Sequence, residues 1–457
     1  MSMIVHPPQL HEDEKINQDI LKPIFVTTWR WWALVALCGA GFMAGLAAWC
    51  YMMATGMWVI GYHRPVMEGT FIANFVFWVG LSHSGTLISA ILRLSKAEWR
   101  RPITRAAEAM TVFTVLMAAQ FPLIHLGRTW FFYYILPYAN QRELWTNFRS
   151  PLAWDVMAIM TYLSGSFIYL YLPTIPDFAI ARDHSTGWRQ KLFTIVALGW
   201  RGTRREWHRL NTCVLLLAVL ILPVAVSVHT IVSWDFAMTI APMWHTTIFG
   251  PYFVLGAIYS GMGLVVTLTV VIRWAFGWQE YITPYHLDKL SKVMLVAAIV
   301  WTYLWAGDFL VTWYGKLPEE SIVLNIKNAG PYFWWQTTMM LANSIIMIPM
   351  LCFKKVRTSP WALLILTLFL NVGMWIERYL IVAPTLVQKG PSYTWTTYTP
   401  TWVEWMITLY PFAGFVMLYL MFVKMAPLVP IWEIREDKVA AATKKMGVGH
   451  LRALVAE

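Results

Sequence analysis

Ten apolar runs of about twenty residues organise this chain, near 31–54, 70–92, 104–127, 151–172, 212–233, 247–275, 291–312, 331–353, 360–382 and 401–423. A helix needs about 20 mainly apolar residues to cross a bilayer core, so each run predicts a transmembrane span. The expected fold class is all-α integral membrane. Within the long 173–211 connection, the apolar stretch LFTIVALGW is too short to span and predicts an interfacial helix. The 128–150 connection, RTWFFYYILPYANQRELWTNFRS, is so aromatic that it predicts a packing surface.

Composition agrees. The chain of 457 residues is 58% hydrophobic and 13% charged, with mean hydropathy +0.53. Soluble domains average about 25% charged residues. The 28 Trp and 20 Tyr suit membrane–water interfaces. Of the 35 Lys and Arg, 27 fall on one set of connections and 8 on the other. The positive-inside rule then places both termini in the cytoplasm, as expected of a bacterial inner-membrane protein. The +11 net charge is this orientation signal, met by anionic lipid head groups, and implies no nucleic-acid partner. The polar opening HEDEKINQD carries no expectation of a secretory leader. Cys38, Cys50, Cys213 and Cys352 lie in apolar stretches without CxxC or CxxCH, so neither c-type haem nor an iron–sulfur cluster is expected in this chain. A b-type haem would need paired His at one depth. Only His83, His125, His229 and His245 are available, and the inner half offers none.

A four-helix unit occurs twice. Gly80-Leu-Ser-His83-Ser84-Gly85 matches Gly256-Ala-Ile-Tyr259-Ser260-Gly261, and Thr129-Trp130 matches Thr312-Trp313. Pro151-Leu-Ala-Trp154 matches Pro331-Tyr-Phe-Trp334, and Leu222-Pro-Val224 matches Leu370-Asn-Val372. An even number of helices per unit makes the repeats parallel, about an axis along the membrane normal. The expected layout is a cytoplasmic segment at 1–30, a first span and outer loop at 31–69, one bundle at 70–246, a second at 247–400, and a last span with a cytoplasmic tail at 401–457.

Ionisable residues inside a bilayer are costly, rare and usually face a bundle interior. Following the chain back and forth places His125, Arg128, Asp155, His229 and Asp235 at one depth near the outer face. Two readings stand: a polar pocket with proton acceptors, or an Asp155–Arg128 ion pair tying helix ends together. Mid-span His83, between Ser82 and Ser84, is either a neutral hydrogen-bonded histidine or a proton-relay or quinone-contacting group. Asp308, Glu377 and Arg378 occupy matching positions in the second unit, as a structural pair or a stage of a proton path. Glu404 is expected at the interface.

The runs FPLIHLGRTWFFYYILPYANQRELWTNFRSPLAWD and VHTIVSWDFAMTIAPMWHTTIFGPYFVLGAIYSG resemble the NrfD/polysulfide-reductase membrane subunits. Within that family they are most similar to the ActC subunit of bacterial alternative complex III, and the sibling ActF is similar in fold. The resemblance runs from about residue 15 to 435. It implies quinol oxidation near the periplasmic face, with menaquinone favoured over ubiquinone and no haem or iron–sulfur cluster in this chain. It implies electron transfer to a periplasmic iron–sulfur/molybdopterin-like subunit and on to multihaem and monohaem cytochrome c subunits, beside a second NrfD-like membrane subunit. It places the quinol site at His125 and Asp155, with Asp235, Arg128 and His83 nearby. It implies a proton path through His83, His229, Asp308, Glu377 and Arg378. A structural anchor and a secondary transporter are the rival readings.

Overall fold

The computed structural model describes residues 7–135, 151–388 and 392–436. Expectations for Arg142, Arg149, Lys389 and the tail from 437 lie outside the described residues. The described chain is helical: α1 Pro7–Phe25, α2 Trp29–Thr55, α3 Thr70–Leu94, α4 Arg101–Ala118, α5 Gln120–His125, α6 Pro151–Tyr171, α7 Ile175–Asp183, α8 Gly187–Val196, α9 Arg204–Ala237, α10 Phe249–Ala275, α11 Pro284–Gly315, α12 Pro318–Asn328, α13 Phe333–Met340, α14 Met347–Cys352, α15 Lys354–Arg357, α16 Pro360–Val387 and α17 Trp402–Phe422. Among the described residues, nine helical stretches are long and apolar enough to cross a membrane, and the protein is a multi-pass membrane protein.

The tenth expected span, 331–353, is helical but broken. Between α13 and α14 the backbone passes through a π-helical turn at Leu341–Ile345. Such turns leave a carbonyl free of its usual helical donor, and Tyr259 Oη donates to the Asn343 carbonyl at 2.8 Å. The third span is divided into α4 and α5. Pro122 lacks the N–H that would bond residue 118, where α4 ends. In the 173–211 connection, the apolar stretch begins inside α8, which buries Phe193 and leaves Trp188 and Ile195 exposed, as an interfacial helix would.

α3 is the axis of the molecule, buried on every side from Ala73 to Ala90. It packs against α4, α9, α10 and α16. Lipid tails are as apolar as leucine, so helices in a membrane associate through close packing and hydrogen bonds. The two copies of the repeated small-residue motif meet face to face. Gly80 lies against Ala257, with a Cβ at position 80 reaching its Cα at 3.5 Å, and Gly261 lies against Ser84 and the Leu81 carbonyl. Ser84 Oγ donates to the Ile258 carbonyl at 2.7 Å. On the opposite face, a Cβ at Gly85 would collide with the Ala107 carbonyl. α6 packs on α9, α10 on α11 and α16, and α2 on α17.

One end of the bundle carries an arginine cluster, and chain 424–436 folds back over it. Glu433 bridges Arg93 at 2.8 Å and Arg100 at 3.1 Å, and Arg101 meets Glu436 at 3.3 Å. Arg105 and Asp177 form a fully buried ion pair, and Asp177 also accepts the backbone N–H groups of Ile431 and Trp432. These four arginines were expected to face lipid head groups; carboxylates of the chain itself neutralise them instead. Burial pushes the Glu433 carboxyl up, but Arg100, Arg93, Arg105 and Arg101 outweigh it and hold it below the usual carboxylate range.

A depressed carboxyl contributes stability above its unfolded pKa and loses it as pH falls through the lower folded value. Glu433→Gln should therefore lower the unfolding temperature in detergent at pH 7. Its gap to wild type should close as pH falls below the ordinary glutamate range. Stranding the buried arginines costs about 3–5 kcal/mol by the usual measure of a broken buried pair. Gly85→Val should destabilise the chain severely in the same assay. Gly39→Val, where a Cβ meets nothing within 4 Å, should leave it close to wild type.

Candidate functional site

Opposite the arginine cluster lie the C-terminal end of α5, the 56–69 connection, the first turn of α6 and the last turn of α9, with α6 packed on α9. His125 closes α5, and its Nε2 stands 3.3 Å from Glu68 Oε2; the two side chains are 29% and 37% exposed. Its Nδ1 is buried without a hydrogen-bond partner. Asp155, buried in α6, lies beside Asp235 of α9, close enough for a carboxyl–carboxyl hydrogen bond. Such a bond requires one proton between the two groups. Oδ1 of each is buried and unpartnered. Trp154 and Trp234 meet edge to face at 6.1 Å where α6 and α9 pack.

The expected cluster is thus two pairs at one end of the bundle. The partner the structure gives Asp155 is Asp235 rather than Arg128, whose side chain is exposed in the turn after α5. The carboxylate beside His125 is Glu68, which sequence reasoning missed. Glu68 sits in a connection rather than in an apolar run, so the search for charge inside spans passed over it.

His229 was expected at this depth as well. It lies instead two turns deeper in α9, fully buried, with its ring 4.9 Å from that of His83 at 62°. His83 stacks flat on Tyr162 at 4.6 Å, and its Nδ1 is 2.6 Å from the Val79 carbonyl. Tyr162 is itself held by its hydroxyl on the Ser82 carbonyl at 2.9 Å. His83 Nε2 and both His229 nitrogens are buried without partners. His83 is therefore deep in the core and apart from the His125 end.

The second unit holds its own polar file. Thr246 Oγ1 donates to Asp308 at 2.7 Å. Deeper, Arg378 pairs with Glu377 at 3.3 Å and lies over the Phe253 ring at 4.7 Å, in space left by Gly256. Phe253 in turn touches His229 at 5.9 Å. A cavity of about 50 Å³ is lined by Tyr252, Asp308, Lys327, Gln336 and Glu377. That volume holds a few waters and falls well short of the roughly 300–1,000 Å³ of small-molecule sites. Lys327 belongs to α12, a helix that the apolar runs do not mark. Pro318 at its first position, followed by Glu319 and Glu320, is a helix-start signature that would have found it.

Glu404 is buried rather than interfacial. It accepts from Gly61 N at 2.7 Å, Thr401 N at 2.8 Å and Thr70 Oγ1 at 3.1 Å, and from the Tyr398 hydroxyl. It pins the 56–69 connection to α3 and α17. Among the described residues, no group of three His, Cys, Asp or Glu is placed to hold a metal ion.

The family described as Polysulphide reductase, NrfD matches residues 58–389, well over half of the chain and including both pairs at the His125 end. A putative dimethyl sulfoxide reductase membrane subunit of Halobacterium salinarum is 24% identical over 418 residues, covering 87% of this chain and 91% of that protein. A selenate reductase subunit of Mesobacillus selenatarsenatis is 21% identical over 377 residues, covering 79% of this chain and 85% of that protein. With its apolar helices built around one buried axis and a family match across residues 58–389, the chain belongs to the NrfD polysulphide reductase family.

Proposed function

We propose that this chain is the quinol-oxidising membrane subunit of a multisubunit oxidoreductase, with its site at the His125 end. The observation that carries the reading is the set of orphaned polar atoms there. Nδ1 of His125 and Oδ1 of Asp155 and Asp235 are buried without partners. Buried polar groups are normally satisfied, so such a set calls for a ligand offering hydroxyl hydrogens. A quinol presents two. His125 is suited to take one proton, since a neutral imidazole carries one acceptor nitrogen and commonly serves as a general base. The Asp155–Asp235 pair takes the other. The electrons pass to an iron–sulfur cluster of a covering subunit. Both relatives are named as subunits of a reductase, and this chain is assigned a place in a complex of that general kind. The sequence resemblance narrows it to alternative complex III with menaquinol, cytochrome c subunits and a sibling membrane subunit. The lysine and arginine asymmetry puts the His125 end on the periplasmic side and the arginine cluster in the cytoplasm.

The second-unit file, from Asp308 and Lys327 through Glu377 and Arg378 to His229 and His83, is assigned to proton movement. Its cavity suits water and not a carried solute, which argues against the transporter reading.

Quinone content and quinol oxidation should be measured on the purified complex. His125→Ala and Asp155→Ala should each lower turnover about 10²–10⁴-fold, the usual weight of a general base, while the complex still assembles. His125→Ala should also lose the copurifying quinone. Wild-type turnover in both variants would sink the assignment and favour an anchor. Glu377→Gln should keep quinol oxidation within about twofold, since it lies away from the His125 end, and lower the protons moved per electron in proteoliposomes. An unchanged proton ratio would remove the second-unit path.

A further inference from the structure

Proton acceptance at the quinol site leaves His125 charged and without an exit for its proton, and Glu68 stands at the ring's other nitrogen. Resting on the proposed quinol oxidation, we propose that Glu68 is the positioning residue that fixes the tautomer of His125 and takes its proton onward to water.

The imidazole has two nitrogens in two environments. Nε2 faces Glu68 Oε2 at 3.3 Å, and Nδ1 is buried with no partner. A carboxylate beside one ring nitrogen keeps the proton on that nitrogen and leaves the other as an acceptor. Glu68 Oε2 is itself buried without a hydrogen-bond partner, so the Nε2–H tautomer offers it a donor and leaves the Nδ1 lone pair to the quinol. When His125 acts, the quinol O–H bond breaks and Nδ1–H forms. Nε2–H then breaks and the carboxyl O–H of Glu68 forms. Glu68 next loses this proton to water, and the ring regains its starting tautomer by exchange once the product has left. One proton leaves and the charge balances, with the electron departing to the cluster named above. Oε2 of Glu68 is itself buried, but the side chain as a whole is 37% exposed, so water reaches the residue at which the relay ends.

The connection that carries Glu68 is anchored on both sides. Glu404 holds Gly61 N at 2.7 Å and Thr70 Oγ1 at 3.1 Å. His63 bridges the Gly61 carbonyl at 2.7 Å and Thr396 Oγ1 at 3.0 Å. Gly69 lies directly against the Tyr398 ring, which leaves no space for a side chain there. Tyr62 accepts Phe71 N at 3.2 Å with its ring 6.5 Å from that of His125. A short-range relay needs this placement, because proton transfer requires heavy atoms within hydrogen-bond reach.

The test uses the intact complex carrying Glu68→Gln, Glu68→Asp or Glu68→Ala, with His125→Ala alongside. Glu68→Gln should retain copurifying quinone, lower turnover by about tenfold or more and raise the solvent deuterium isotope effect. Glu68→Asp should recover part of the rate. Added acetate should restore turnover to Glu68→Ala in proportion to its concentration and leave Glu68→Gln unaffected. Wild-type turnover and isotope effect in Glu68→Gln, with His125→Ala inactive, would overturn the role of Glu68 while sparing the site. Loss of quinone from Glu68→Gln would also overturn it, making Glu68 a binding group. Full activity in His125→Ala would instead show that the site reading itself had failed.

Discussion

The contact between the two small-residue stripes, Gly80-x-x-x-Ser84 on α3 and Gly256 to Gly261 on α10, sets everything else in this molecule. Backbones approach closely there, and Ser84 stitches them with a hydrogen bond to Ile258. In hydrocarbon no hydrophobic force drives helices together, so this packing and its hydrogen bonds supply the join. Because α3 is buried all round, α4, α9, α10 and α16 take their positions from it. The polar core depends on the same contact. Gly256, in the stripe, leaves the space that the Arg378 guanidinium fills, and His83 lies between the two stripe residues Gly80 and Ser84.

The spans were legible because a bilayer demands an apolar length, and that demand is written directly in the sequence. The close packing of α3 on α10 was legible for a related reason: Gly and Ser at short fixed offsets mark it. In the structure the two motifs pack together, with Gly80 against Ala257 and Gly261 against Ser84. Asp155 and Asp235 were placed at one end by counting passes, and the helix pairing of α6 with α9 makes them neighbours. Depth along a helix was harder. His229 reads as near the end of its apolar run, yet α9 continues to Ala237, and the last two turns lift the end of the helix well above the ring. Apolar runs mark the hydrocarbon, whereas helices extend past it.

What stayed hidden came from connections. Glu68, Glu404 and Lys327 act through loops and short helices whose course no periodicity reveals. Glu404 sat at the start of a span and looked like an interfacial charge. Its burial depends on Tyr398 and Gly61 arriving from opposite sides in sequence. The four arginines of the cluster likewise read as free positive charge. Their carboxylate partners lie up to 340 residues away, and an orientation count treats every such residue alike. The count still works, because orientation responds to the chain as it inserts and not to the pairs it later forms.

That separation orders the birth of the protein. Arg93 and Arg100 leave the ribosome long before Glu433, which is among the last described residues to be made. Until Glu433 has been made, these two guanidiniums lack the carboxylate that they pair with in the folded chain. In the folded chain Glu433 pairs with both, and Asp177 accepts the backbone N–H groups of Ile431 and Trp432 beside it. A chain lacking Glu433 would leave Arg93 and Arg100 without the carboxylate that they share here.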